Sequence, residues 1–119
     1  MRETHVILFL DDEPLILMDL EFAAEDLGLE ALCATSCAEA MRLIEQADRL
    51  HVAVLDVSLK DGETCETVAR ELDRRGIPYL LHSGDLDRQD ETVARLRAPL
   101  LPKPANSENV IAAAMKLAA

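Results

Sequence analysis

Short apolar runs alternate along the chain with segments in which apolar residues recur every three or four positions, the two periods that separate buried strands from amphipathic helices. The runs are "HVILFL" (residues 5–10), "EALCA" (30–34), "HVAVLD" (51–56), "IPYLLHS" (77–83) and "PLLPK" (99–103). The second is the weakest, and the prolines of the fifth suit a sheet edge and not a centre. Between them, Ile16, Leu20, Ala23 and Leu27 share a helical face that ends at Gly28. Cys37, Ala40, Ile44 and Ala47 share another, opened by the S-x-x-E capping box of Ser36 and Glu39. After a loop at Asp61 and Gly62, Cys65, Val68, Ala69 and Leu72 keep helical spacing up to a stop at Arg74, Arg75, Gly76 and Pro78. Residues 84–98 are polar, with Leu86, Val93 and Leu96 as their main anchors, which predicts a short or loosely docked helix. The last helix begins near Asn106 and carries Ile111, Ala114, Met115 and Ala118 inward.

Five strands alternating with five helices predict an α/β fold, a doubly wound parallel sheet in one domain over residues 1–119. At 119 residues the chain buries a continuous core without disulfides or a structural metal. Its aromatic residues are Phe9, Phe22 and Tyr79, so Leu, Ile, Val, Ala and Met fill that core, as is ordinary for helices packed on a parallel sheet.

Charge narrows the partners. A formal net charge of −11 repels nucleic acid and anionic membranes at long range and favours cations or basic proteins. Cys33, Cys37 and Cys65 are odd in number and match no paired CxxC spacing, which points to reduced, mostly buried thiols. No basic-then-apolar leader opens the chain, and no stretch reaches the ~18 apolar residues of a membrane span, so a cytoplasmic protein without membrane contact is expected.

In doubly wound sheets, ligands sit beyond the carboxyl ends of the strands. Those ends carry Asp11 and Asp12 after the first strand, Thr35 after the second, Asp56 after the third, Ser83 after the fourth and Lys103 after the fifth. Each residue alone has a bland reading: a DD pair caps helices, a serine turns the chain, a lysine is a solvated charge. Brought to one rim they have a joint chemistry. Asp56 closes an apolar strand, where a lone carboxylate needs a partner. Three facing carboxylates are tolerable around a hard cation such as Mg²⁺, which takes one or two carboxylates plus water and phosphate oxygens. A lysine and a hydroxyl aimed at the same point neutralise and hydrogen-bond a phosphoryl group. Asp56 then reads as a nucleophile of the aspartyl-phosphate kind.

"FLDDEP", "VLDVSLKDG", "LLHSG" and "LPKPA", in this order, resemble the segments of response-regulator receiver domains, over essentially the whole chain. The spacing agrees as well, with 44 residues from Asp12 to Asp56, 27 more to Ser83 and 20 more to Lys103. The resemblance implies the flavodoxin-like strand order 2-1-3-4-5 and makes Asp56 the phosphoacceptor. It gives Mg²⁺ the ligands Asp11, Asp12, Asp56 and the backbone carbonyl of Ser58, makes Ser83 the switch hydroxyl and Lys103 the phosphate-binding lysine, and implies a cis bond from Lys103 to Pro104. Ser58 and Asp85 fall beside the path of the hydrolytic water. The implied role is that of a two-component receiver. It would accept a phosphoryl group from a histidine kinase or histidine phosphotransfer protein, catalyse its own phosphorylation and dephosphorylation, and signal to an unidentified downstream protein or act as a phosphate sink.

The chain departs from the family in two places. Many receivers have Met-Pro three and four residues after the acceptor and Gly at eight, whereas Leu59 and Lys60 follow here and Gly62 comes at six, a loop two residues tighter and similar to that of a subset of stand-alone receivers. Leu100 stands where the family commonly has an aromatic gate, so output is expected to run through residues 84–98. Two other functions compete. A phosphorylation-independent binding module on the same fold is supported by Leu100 and the polar fourth helix. A metal-dependent phosphatase with an aspartyl nucleophile would want an acid at position 58, which is Ser58. His5, His51 and His82 have no partner histidine or triad pattern and read as packing or surface residues.

Overall fold

In the computed structural model, residues 4–57, 59, 62–84, 93–96, 98–103 and 105–118 are described. Each apolar run forms a strand: β1 (Val6–Leu10), β2 (Glu30–Ala34), β3 (Val52–Asp56), β4 (Tyr79–Ser83) and β5 (Leu100–Pro102). The helices are α1 (Pro14–Asp26), α2 (Cys37–Gln46), α3 (Glu66–Arg74), α4 (described over residues 93–96) and α5 (Ser107–Ala118). All neighbouring strands pair in parallel in the order β2-β1-β3-β4-β5. The order reverses beside β1, so the ends of β1 and β3 flank the crevice of a doubly wound sheet. β5, with Pro102 in its last position, is an edge strand as its prolines require.

β1, β3 and β4 are buried at every position, which explains their unbroken apolar runs, while the edge strand β2 is half-covered. The sheet divides two cores. Leu8, Leu10, Leu55 and Leu81 meet Ile44 of α2 and Val68 and Leu72 of α3 on one side. Ile7, Phe9, Val52, Val54 and Leu80 meet Leu17 and Leu20 of α1 and Ile111 of α5 on the other.

Local signals act largely as expected. The Ser36 hydroxyl accepts from the Glu39 N–H at 3.2 Å, but the Glu39 carboxylate reaches back one residue further, accepting from the Thr35 N–H at 2.8 Å. Gly28 and Gly76 adopt positive φ, the left-handed conformation that ends a helix at low cost. The face of α1 is a correction. Leu17, Leu20 and Ala24 are buried, Ile16 and Ala23 only partly, and Leu27 is 60% exposed. Leu15, Met18 and Phe22 also point outward, Leu15 at 73% and Phe22 at 57% exposure. The helix is apolar on opposite sides, so apolar spacing alone could not choose which side packs.

Candidate functional site

The acids come together because successive residues of a strand alternate between faces: Asp11 continues the parity of Ile7 and Phe9, and Asp56 that of Val52 and Val54. Asp11 is 2% exposed and Asp56 5%, while Asp12 is half-buried. Carboxylate oxygens of Asp11, Asp12 and Asp56 lie within 4.8 Å of one another. Asp11 also shapes the turn ahead of α1, its Oδ1 accepting from the Glu13 N–H at 2.9 Å, so turn-making and clustering are both roles of this one side chain.

Lys103 follows β5, where its N–H donates to the Ser83 carbonyl at 3.0 Å. Its half-buried side chain crosses to the other strand ends, Nζ donating to Asp11 Oδ2 at 2.9 Å and to Asp56 Oδ2 at 3.4 Å. Burial works against its charge, but the hydrogen bonds and charges of Asp11 and Asp56 prevail and hold the ammonium above its ordinary pKa. One cation does not balance the acids. Burial, then the charge of Asp11, push the Asp56 carboxyl up to about 7, against the opposing pull of Lys103.

Ser83 is buried at the end of β4, beside the backbone of Lys103. Ser58, Asp85 and Pro104 lie outside the described residues, and with them the metal-ligand carbonyl, the water-path acid and the isomer of the Lys103–Pro104 bond. In the loop after Asp56, Leu59 is buried against the α2–α3 core, its N–H donating to the Glu63 carbonyl at 2.9 Å, and Gly62 takes the positive φ that the tight turn demands. Leu100 is half-buried against the same core.

The three cysteines are free. Burial pushes the Cys37 thiol up to about 11 and the Cys65 thiol up to about 12, so neither is a nucleophile at neutral pH. His51 Nδ1 accepts from the Val6 N–H at 2.9 Å, a packing role as expected. His82 packs as expected. It is 4% exposed beneath Lys103, and its Nε2 is a buried side-chain atom with no hydrogen-bond partner among the described residues. Its signal in the sequence was an imidazole inside the apolar run "YLLHS". A cavity of about 590 Å³ beside Thr4, Val6, Glu30 and Leu43 lies at the opposite end of the sheet from the acids.

No family model matches the sequence. No curated protein matches it either. Solved structures do. SdrG from Sphingomonas melonis Fr1 is 33% identical, with 99% of this chain and 98% of that chain covered and a TM-score of 0.80. A response regulator receiver protein from Sinorhizobium medicae WSM419 is 26% identical over 98% of this chain and 95% of its own, with a TM-score of 0.81. The chain belongs to the response-regulator receiver family. The chemotaxis regulator CheY4 of Vibrio cholerae, 20% identical over 97% of the receiver and 99% of its own chain, superposes with a TM-score of 0.81 and shares the fold. A two-component role follows from this membership. Among the described residues of the receiver, no helix is long and apolar enough to cross a membrane.

Proposed function

We propose that the receiver takes a phosphoryl group from a phosphohistidine onto Asp56, with Mg²⁺ bound by Asp11, Asp12, Asp56 and the Ser58 carbonyl. The observation that carries this reading is the convergence of three carboxylates and one ammonium from the ends of β1, β3 and β5. The donor set fits a hard divalent cation: all the side-chain ligands are oxygens, and their like charges are left uncompensated by Lys103 alone. When bound, Mg²⁺ offsets the charge of the acids and of the phosphoryl oxygens.

The protein's own groups divide the work. An Asp56 oxygen forms the new O–P bond as the donor's N–P bond breaks, which requires the ionised carboxylate. Lys103, held charged by Asp11, stabilises negative charge on the transferred group, and the Ser83 hydroxyl donates to a phosphoryl oxygen. Asp11 keeps Lys103 in place through the 2.9 Å bond, a positioning role besides metal binding.

The partner side of the reading rests on α1. Its exposed Leu15, Met18 and Phe22 run beside Asp19, Glu25 and Asp26, an apolar stripe with an acidic border. Such a surface fits a phosphodonor helix with an apolar stripe bordered by Lys or Arg, and two copies of this acidic border would repel each other. The proposed protein is a single receiver domain of the cytoplasm whose output is contact with another protein or drainage of phosphate. A phosphorylation-independent binding module is the second reading, favoured by Leu100, which has no ring to rotate.

Intact mass after incubation with acetyl phosphate and Mg²⁺ tests the proposal. One phosphoryl group should be added to the wild type and none to Asp56→Asn. Addition to the Asn variant would place the acceptor elsewhere, and no addition to the wild type would favour the binding-module reading.

A further inference from the structure

The turn of α4 that carries Val93 and Leu96 into the core is also held from outside. Arg95, on its exposed side, reaches across to α3, its Nε and Nη2 donating to Oε1 of Glu66 at 3.2 and 2.9 Å. The other oxygen of Glu66 accepts from Nε and Nη2 of Arg70, one turn further along α3, at 3.2 and 2.8 Å. One carboxylate is thus divided between two helices. The bonds from Arg70 and then Arg95 hold it below the usual carboxylate range, so it stays ionised. The Arg70 bond is an ordinary i,i+4 pair that supports its own helix. The Arg95 bond spans 29 positions and fixes α4 against α3.

Glu66 is well placed to sense the acids, because it is the first residue of α3. Cys65 before it is fully buried and donates its N–H at 3.1 Å to the carbonyl of Val57, the residue after Asp56. Val68, Ala69 and Leu72 root the rest of the helix in the core. The Glu66 carboxylate is therefore tied to the acceptor strand. α4 belongs to the other side of the site, since in the chain it follows Ser83 of β4 and precedes Lys103 after β5. A phosphoryl group on Asp56 draws the Ser83 hydroxyl and the Lys103 ammonium towards itself, which displaces the strand ends that bracket α4 relative to α3. The pair between the two helices resists that displacement.

We propose that Glu66 and Arg95 form a latch on α4 that favours the unphosphorylated receiver and opens when Asp56 carries a phosphoryl group, an inference that rests on Asp56 being the phosphoacceptor. An exposed ion pair gives way at low cost, while Leu96 keeps the inner side of α4 in the core. The latch makes the position of α4 depend on the site, which Leu100 has no ring to do.

Titration of the full chain with beryllofluoride, which mimics the aspartyl-phosphate, in the presence of Mg²⁺ and followed by amide NMR shifts, tests the latch. Arg95→Gln and Glu66→Gln should each bind about twofold to fivefold more tightly than the wild type, the range of one exposed ion pair. The double variant should gain no more than either single one, because both remove the same bond. Arg70→Gln, which cuts only the bond within α3, should not tighten binding. Unchanged or weaker binding in the two single variants, an additive double variant, or an equal gain in Arg70→Gln would overturn the latch and leave Asp56 the acceptor. A wild type that takes up no beryllofluoride would overturn the phosphoacceptor reading and the latch with it.

Discussion

Replacing Asp56 by Asn removes a charge while keeping the shape of the side chain, and the surroundings of Asp56 set the size of the effect. In the metal-free protein its carboxyl is pushed from an ordinary 3.8 up to about 7, first by burial and then by Asp11. The folded state therefore retains a proton that the unfolded chain has released. The protonated carboxyl's contribution to stability is fully present below about pH 4, is lost as pH rises towards 7 and stays lost above that. A displacement of about three units at about 1.4 kcal/mol each sets an upper limit near 4 kcal/mol, a large part of the ~5–15 kcal/mol that holds a domain folded. Lys103 is not stranded by the change, because its shorter bond is to Asp11. Urea denaturation of both proteins in a chelator, from about pH 4 to pH 8, isolates the effect, since every other titrating group is common to the pair. The difference should be small at the acid end and grow to as much as about 4 kcal/mol in favour of Asp56→Asn at the alkaline end. A pH-independent difference, or an Asn variant less stable at pH 8, would show that Asp56 is not held under charge repulsion.

The other outcomes follow from particular contacts. Asp12→Ala should raise the metal-free melting temperature and erase most of the rise that Mg²⁺ gives the wild type, which would be about 2.7 kcal/mol at a hundredfold excess over Kd; a fall in the metal-free melt would make Asp12 structural. Phe22→Ser on the outer face of α1 should slow phosphotransfer from a cognate kinase and leave acetyl phosphate labelling unchanged, and equal slowing with both donors would locate the fault in the site. Leu59→Ala should cost roughly 2–5 kcal/mol in urea melts, as for a buried leucine, and a cost below about 1 kcal/mol would mean that the tight loop is not anchored in the core.

Strand identity was legible because β1, β3 and β4 are buried on both faces and must be apolar throughout, and the rim residues were legible because strand ends in such a sheet face one way. Two things were not. The buried side of α1 was ambiguous, since Leu17 and Leu20 point inward while Leu15, Met18 and Phe22 point outward from a helix apolar on both sides. His82 packs as read, but nothing in "YLLHS" says that a cavity lies across from the imidazole or that its Nε2 goes unpaired. Both depend on what stands opposite a residue in space, which a one-dimensional pattern does not carry.

The bond between Lys103 and Asp11 joins residues 92 positions apart, and the bond to Asp56 spans 47. Closing so large a loop is slow relative to forming helices and neighbouring strand pairs. As the chain leaves the ribosome, Asp11, Asp12 and Asp56 are all made before Lys103 exists. The nascent protein thus passes through a stage in which the acids have been synthesised and their ammonium has not. The rim can close only once β5 has been made, and a chain interrupted before β5 would have strands for most of its sheet but no counter-charge for its centre.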